Sequence, residues 1–125
     1  MKKAIHTDKA PPSIGTYSQA IKIGNTVYLS GQIPVDPATK ELVTGGIVAQ
    51  ANRVFENLKI VIEEAGGTMD SVVRVGVYLT DLTDFPTVND TMLKFFKQPY
   101  PARTTIGVTA LPKGSLVEVD ALMVV

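Results

Sequence analysis

Only two segments of this chain carry helical periodicity, while its other regular patterns alternate in the way that strands do. Apolar residues between Ile47 and Ala65 recur at helical spacing, and Gly66-Gly67 follows as a stop signal. The second helical segment begins near Asp84, a candidate N-cap with a proline in the first turn, and ends before Pro99. Because two helices have to cover the apolar side of all the strands, the pattern favours an α+β fold with both helices on one face of a sheet.

The strand patterns complete the element order ββαβαββ. Two apolar runs around Gly24-Asn25 predict a hairpin, with both turn residues at positive φ. In the segment 71–80 every second residue from Val73 onward is apolar, which predicts a half-buried strand with Val73 facing inward. Two further strands are expected at 103–108 and 116–124. The chain is therefore predicted to be a single domain, residues 1–125, in which one mixed sheet packs on two helices.

The sheet face away from the helices is predicted to be partly apolar. Four residues are candidates for this face: Tyr28, Tyr78, Ile106 and Leu122. An uncovered apolar sheet face commonly marks an association surface. The sequence therefore predicts an oligomer, without giving the number of subunits.

Composition limits the partners and sites that the chain can use. Its formal net charge is zero and its basic residues are scattered, so it lacks the basic stripe on which nucleic acids or anionic membranes bind. With no cysteine and a single histidine, His6, neither disulfides, thiolate catalysis nor a metal site is expected. The N-terminus lacks a secretory signal and no run is long enough to cross a bilayer, which favours the cytosol; a eukaryotic source would leave mitochondria open.

Two charged residues near the C-terminus suggest a small polar site. Pro99 and Pro101 keep the approach to Arg103 extended, so its guanidinium enters a strand in a defined direction. Glu118 and Asp120 alternate with apolar neighbours and share one face of the last strand. Arg103 and Glu118 are expected on neighbouring strands, where the arginine suits a substrate carboxylate and the glutamate suits a proton transfer.

Five elements stand in a distinctive order and spacing along the chain. They are Tyr17, the run Ser30-Gly31-Gln32-Ile33-Pro34, Asn89 in the segment 84–89, Pro101-Ala102-Arg103, and Val117-Glu118-Val119. No single element is specific, but together they resemble the RidA family, also called the YjgF/YER057c/UK114 family, of reactive-intermediate imine deaminases. The resemblance covers essentially the whole chain.

The resemblance implies a chorismate-mutase-like fold assembled as a homotrimer, with active sites in the clefts between subunits. It also implies hydrolysis of 2-aminoacrylate, 2-iminopropanoate and related imines, including 2-iminobutanoate, to 2-oxo acids and ammonia, without a metal or organic cofactor. Such substrates are released by pyridoxal-phosphate-dependent dehydratases that act on serine or threonine. Because water attacks the C=N bond of these imines unaided, the enzyme needs only to orient the substrate and transfer protons.

Within this family interpretation, Arg103 binds the substrate carboxylate through paired N–H···O bonds. Glu118 takes a proton from the attacking water and returns one to the leaving nitrogen. The sequence leaves simpler roles open: a structural ion pair for Arg103, and a solvated or Arg103-paired carboxylate for Glu118. A nearby arginine would lower the pKa of Glu118 and burial would raise it, and the sequence does not say which effect prevails.

The resemblance assigns substrate binding to Tyr17, Ser30, Gly31 and Asn89. Glycine at position 31 lets a ligand approach the backbone closely. Each residue has an ordinary alternative: a core tyrosine, a tight bend at Ser30-Gly31, or a solvated asparagine on a helix surface. Many relatives carry cysteine two residues after the arginine, where this chain has Thr105. The threonine excludes thiolate chemistry there and is expected to line the pocket through its hydroxyl.

Two other functions fit the same residues. Some relatives are described as endoribonucleases or translation inhibitors, although this chain lacks the basic stripe and the aromatic platform that RNA binding uses. The same cleft would also suit a non-catalytic protein that binds a 2-oxo acid, since carboxylate binding needs only Arg103. Glu118 separates these functions, because only hydrolysis requires a proton acceptor.

Overall fold

The computed structural model describes all 125 residues and contains six strands and two helices. The strands are β1 (Lys3–Ile5), β2 (Ala20–Ile23), β3 (Thr26–Gln32), β4 (Val72–Leu79), β5 (Ala102–Gly107) and β6 (Val117–Val124). The helices are α1 (Gly46–Glu64) and α2 (Phe85–Phe95). The predicted order ββαβαββ is confirmed from β2 onward. The three-residue β1, which is too short to show a period in the sequence, is an addition.

All six strands form one sheet in the order β1-β2-β3-β6-β4-β5. Strands β4 and β5 run parallel, and the other neighbouring pairs are antiparallel. A parallel pair needs a crossover connection, which α2 supplies between the two strands. The sheet is therefore mixed, as predicted.

Both helices lie on one face of this sheet, as predicted, and share a single apolar core with it. Helix α1 contributes fully buried side chains such as Phe55 and Leu58, α2 contributes Val88, and the strands contribute alternate residues such as Val75 and Val119. Burying a side chain of this size contributes about 1.5–3 kcal/mol, so the helix-covered face supplies most of the stability. Neither helix has the length and apolar character needed to cross a bilayer.

The predicted inward alternation of β4 is wrong at its first residues. Val72 is buried and Val73 is 45% exposed, whereas Val75 and Val77 face the core as predicted. A β-bulge between Val72 and Arg74, where β4 pairs with β6, shifts the alternation by one residue. The sequence gives no sign of this shift, because both residues at the start of the strand are valines.

Backbone geometry corrects two further local predictions. In the turn between β2 and β3 only Gly24 has positive φ, at 57°, although Asn25 is predicted to share that conformation. Asp84 occupies the N-cap position of α2, as predicted, but its side chain makes no capping hydrogen bond. The carboxylate that accepts a backbone hydrogen bond is that of Asp81, which caps the short 3-10 turn Leu82–Asp84 just before the helix.

Asn57 of α1 is a fully buried polar residue that fixes the segment after β3. Its Nδ2 donates hydrogen bonds to the carbonyl oxygens of Val35, at 2.9 Å, and Ile33, at 3.2 Å. Its Oδ1 accepts a hydrogen bond from Arg53 Nε at 2.9 Å. Buried amides that are fully hydrogen-bonded in this way specify one loop position, because any other position leaves polar groups unpaired.

Replacing Asn57 by alanine is expected to lower the free energy of unfolding by about 2–4 kcal/mol, because two backbone carbonyl oxygens and the Arg53 N–H lose their partner. Urea denaturation followed by circular dichroism measures this loss. Asn52→Ala is the matched control, since the Asn52 amide donates only one exposed hydrogen bond, to Val48 O. The control should stay within about 0.5 kcal/mol of wild type, and equal losses in the two variants would contradict the assigned role.

The opposite face of the sheet, which we call the open face, has no helix on it. The four residues predicted for it lie there, since Tyr28 pairs with Leu122 and Tyr78 with Ile106 on neighbouring strands. Tyr28 and Ile106 remain 53% and 44% exposed. The open face therefore offers apolar area for association.

Candidate active site

Arg103 lies near the start of β5, on the side of the sheet that carries the helices. Its Nη1 donates a hydrogen bond to Asn89 Oδ1 on α2 at 2.9 Å, and its guanidinium carbon lies 4.7 Å from the centre of the Phe85 ring. Stacking on an aromatic face and a directed hydrogen bond hold the planar group in one orientation. Arg103 has no carboxylate partner within the chain, so the rest of its fork is open to a ligand.

Thr105 lies two residues further along β5 and shares this side of the strand. Its Oγ1 is buried and has no hydrogen-bond partner in the chain. One shallow cavity brings Thr105 together with Arg103 and Phe85, and an adjacent one joins Arg103 to Asn89. A buried hydroxyl without a partner costs free energy, so this position is incomplete in the isolated chain. We call Phe85, Asn89, Arg103 and Thr105 the arginine half-site.

Glu118 lies on β6 on the open face, and its carboxylate packs over the backbone of Gly31 near the end of β3. A Cβ atom at position 31 would overlap that carboxylate where it now lies, so glycine leaves room for this Glu118 conformation. Glu118 has no cationic partner in the chain. Burial, followed by the negative charge of Asp120, raises the pKa of Glu118 above its ordinary value. Within the single chain, burial therefore prevails over any effect of Arg103.

A cavity beside Glu118 is lined by four of the predicted site residues, namely Tyr17, Ser30, Gly31 and Glu118. Tyr17 is 52% exposed and borders this cavity, so it is not a core tyrosine. The Ser30 hydroxyl is already engaged: its Oγ donates to Ser18 O at 2.6 Å and fastens the Tyr17 segment to β3. We call these four lining residues the glutamate half-site.

Arg103 and Glu118 do not meet within one chain, so the prediction that they lie on neighbouring strands is wrong. Strand β4 lies between β5 and β6 in the sheet. Arg103 pairs with Val75 of β4, and Glu118 pairs with Tyr78, further along that strand. Since positions 75 and 78 differ by an odd number of residues, the two charged side chains point to opposite faces of the sheet. The structure thus divides the predicted site residues between two half-sites.

A polar network beside Glu118 carries no motif in the sequence. Tyr78 Oη donates to Asp120 Oδ2 at 2.9 Å, and Arg74 Nη1 lies 4.0 Å from Asp120 Oδ1. Gly76 leaves room for the Asp120 carboxylate, which a Cβ atom would overlap. The hydrogen bond to Asp120, ahead of burial, raises the pKa of Tyr78. Only the alternation of β6, which places Asp120 on the same face as Glu118, could have indicated this network.

The acidic and histidine side chains do not cluster as metal ligands do. No group of three or more of them is arranged to hold a metal ion. His6, whose exposed side chain has its Nε2 2.8 Å from Asp8 Oδ1, lines none of the cavities of the two half-sites. The two half-sites present a guanidinium, a group that binds carboxylates, and a carboxylate, a group that can transfer protons.

Comparison with known proteins identifies relatives of nearly the same length. A family model described as Endoribonuclease L-PSP matches residues 7–125. A protein from Dermatophagoides farinae named 2-iminobutanoate/2-iminopropanoate deaminase is 48% identical over 124 residues, which cover 99% of this chain and 97% of the relative.

Solved structures share the fold over their whole length. RidA from an Antarctic Psychrobacter sp. is 50% identical with a TM-score of 0.95, and the match covers 98% of this chain and 99% of that one. TdcF from E. coli, solved with bound serine, is 37% identical with a TM-score of 0.93 and 98% coverage of both chains. The mixed six-stranded sheet on two helices is therefore an arrangement that these proteins have in common.

Proposed function

Because this chain belongs to the RidA (YjgF/YER057c/UK114) family, we propose that it hydrolyses reactive enamines and imines of the 2-aminoacrylate and 2-iminopropanoate type to 2-oxo acids and ammonia. The deaminase name of a relative that is 48% identical over nearly the whole chain supports this activity. The observation that carries the proposal is the pair of complementary half-sites. One presents an oriented guanidinium without a carboxylate partner, and the other an unpaired carboxylate of raised pKa.

The arginine half-site binds the substrate. Two N–H groups of the Arg103 fork match the two oxygens of an α-carboxylate, a geometry that a lysine ammonium does not offer. Asn89 and Phe85 keep the fork in place before the substrate arrives, which lowers the entropy lost on binding. The unpaired Thr105 Oγ1 lies on the same side of β5 and is available to a ligand or a neighbouring subunit.

The glutamate half-site performs the proton transfers. After the enamine has tautomerised to the imine, ionised Glu118 accepts a proton from water as the water oxygen bonds to the imine carbon. Glu118 passes this proton to the imine nitrogen, which completes the carbinolamine. It then transfers the hydroxyl proton to the amino nitrogen as the C–N bond breaks and the C=O bond forms, which gives ammonia and the 2-oxo acid and leaves Glu118 ionised. A pKa raised toward neutrality suits a carboxylate that has to accept a proton and return it.

We place each active site between subunits of a homotrimer. A cyclic assembly brings the arginine half-site of one subunit against the glutamate half-site of the next, which a single chain cannot do. The open face, with Tyr28 and Ile106 exposed, supplies apolar area for such contacts. Thr105 Oγ1 and Asp120 Oδ1, both buried without a hydrogen-bond partner, are the atoms that would gain partners from a neighbour or a ligand.

The substrate class is a small molecule with an α-carboxylate and an α-nitrogen. TdcF, which shares this fold, was solved with serine, a molecule that carries both groups. Enamines of this type arise when a pyridoxal-phosphate-dependent dehydratase removes water from serine or threonine. We therefore place the enzyme immediately after that class of reaction.

The proposed activity is tested by generating 2-aminoacrylate in situ from serine with a dehydratase and following the appearance of pyruvate. We expect wild-type protein to accelerate pyruvate formation over the spontaneous rate. If folded, oligomeric wild-type protein gives no acceleration, the deaminase proposal is wrong. Binding of pyruvate without acceleration would then favour a 2-oxo-acid-binding protein, and cleavage of RNA by the same preparation would favour a ribonuclease.

Mixed trimers test the location of the site. Arg103→Ala and Glu118→Gln, each inactive alone, are expected to recover about a quarter of wild-type activity when refolded together in equal amounts, because about one cleft in four then combines both intact residues. Each variant refolded with itself is the control and should stay inactive. Mixed trimers that are verified by native mass spectrometry and remain inactive would place Arg103 and Glu118 in separate sites.

A further inference from the structure

A second cavity, of ≈ 240 Å³, adjoins the glutamate half-site. It shares Tyr17, Gly31, Ile33 and Pro112 with the cavity that contains Glu118, so the two are separated only by this common wall. The proposed reaction of a three-carbon substrate assigns no task to it. Its position suits the part of a larger substrate that extends away from the reacting carbon.

The lining of this cavity combines apolar walls with unbalanced positive charge. Pro11, Pro12 and Ile14 form part of the wall, and Lys40 and Lys113 reach it from two different loops. No aspartate or glutamate lines the cavity, and neither lysine belongs to an ion pair in the chain. Because the chain as a whole has no net charge, two unpaired ammonium groups around one apolar cavity indicate an anionic ligand.

The amide of Gln32 adds a hydrogen-bonding group to the cavity lining. It takes part in no side-chain hydrogen bond within the chain, whereas the neighbouring Gln19 is engaged by hydrogen bonds with Thr7 and Pro11. Because the Gln32 amide is not among the buried polar groups that lack a partner, it faces the open space of the cavity, where its NH2 group can donate to a ligand oxygen.

We propose that this cavity, the lysine subsite, binds the distal carboxylate of a dicarboxylic substrate, so that the enzyme also accepts imines of the 2-iminoglutarate class. The inference rests on the proposed deaminase function, because the α-carboxylate and the imine carbon stay in the two half-sites. The apolar walls suit the methylene stem, and the lysines and Gln32 suit the terminal carboxylate. Hydrolysis is the same reaction: one water is added across C=N, and 2-oxoglutarate and ammonia leave.

Binding of two product analogues tests the subsite. One is 2-oxoglutarate and the other is 5-methyl-2-oxohexanoate, in which an isopropyl group replaces the distal carboxylate with little change of shape. By isothermal titration calorimetry, wild-type protein is expected to bind 2-oxoglutarate about three- to tenfold more tightly than 5-methyl-2-oxohexanoate. This preference should shrink as ionic strength rises. Equal affinities for the two acids would overturn the inference.

Three variants assign the preference to the lysines. Lys40→Gln/Lys113→Gln is expected to bring the affinity ratio close to one, while Lys40→Arg/Lys113→Arg keeps the charge and the preference. Lys3→Gln, an exposed position on β1 that does not line this cavity, should keep the wild-type ratio. A preference that survives in the double glutamine variant overturns the subsite. The 2-aminoacrylate assay distinguishes the failure of one proposal from that of the other. Equal affinities for the two acids together with normal turnover of 2-aminoacrylate would contradict only the lysine subsite. Absence of 2-aminoacrylate turnover would contradict the deaminase function itself.

Discussion

Arg103→Lys is expected to lower kcat/KM for 2-aminoacrylate hydrolysis about 100-fold, and Arg103→Ala about 1,000-fold, with the overall fold retained. Lysine keeps the charge but loses the planar fork that pairs with both carboxylate oxygens. It also loses the stacking on Phe85, whose ring centre is 4.7 Å from the guanidinium carbon, and the directed bond to Asn89. The measurement is initial-rate kinetics with 2-aminoacrylate generated in situ.

Two controls make the Arg103 result specific. Arg53→Lys alters an arginine of α1 whose side chain hydrogen-bonds to Asn57 and lines neither half-site, so this variant should keep most of the activity. Urea midpoints and the mass of the assembly should match wild type for Arg103→Lys, because the side chain is exposed in the single chain. Wild-type kcat/KM in Arg103→Lys would show that charge alone recognises the carboxylate, and the proposed bidentate geometry would be wrong.

Glu118→Gln is expected to lower kcat for the same reaction about 100- to 10,000-fold while leaving the affinity for pyruvate nearly unchanged. Glutamine has the same shape as glutamate and can occupy the same space over Gly31, but it cannot accept a proton as the carboxylate does. Glu56→Gln, at an exposed position of α1, is the matched control and should behave as wild type. Wild-type turnover in Glu118→Gln would show that Glu118 is not the general base and that its carboxylate has only a structural role.

The dependence of kcat/KM on pH gives a second readout of Glu118. Burial, and then the charge of Asp120, raises the pKa of this carboxyl. Below that pKa Glu118 is protonated and cannot accept a proton from water, so activity should rise with pH through a midpoint above that of an ordinary glutamate. Asp120→Asn removes the second of the two causes, and we expect the midpoint to move to lower pH. An unchanged midpoint would show that another group controls the acid limb.

The helix-covered half of the fold was predictable because its signals are local and strong. The stripe of α1 repeats over five turns and ends at Gly66, whose φ is 93°, as a helix stop requires. The alternation of β6 was equally readable, with Val117, Val119, Ala121 and Met123 buried and the residues between them on the open face. In both cases hydrophobic periodicity directly reports which side of an element is covered.

The errors have a common physical origin. Val73 turns outward because a bulge, set by the pairing of β4 with β6, changes the phase of the strand. Asp84 is the N-cap residue of α2 but makes no capping hydrogen bond, because a 3-10 turn capped by Asp81 leads directly into the helix. Each error concerns a geometry that depends on a neighbouring element, and local periodicity carries no information about the neighbour.

By itself the sequence determined the elements from β2 onward, most of their inward faces and the residue types of the candidate site: one arginine after a rigid approach, one glutamate on an alternating strand, and a glycine at position 31. Only the tertiary structure decided that β4 lies between the strands of Arg103 and Glu118, and that the two side chains leave the sheet on opposite faces. The reason is physical. Alternation fixes the side of each residue within its own strand, whereas the order of strands comes from how two helices cover one face of the whole sheet.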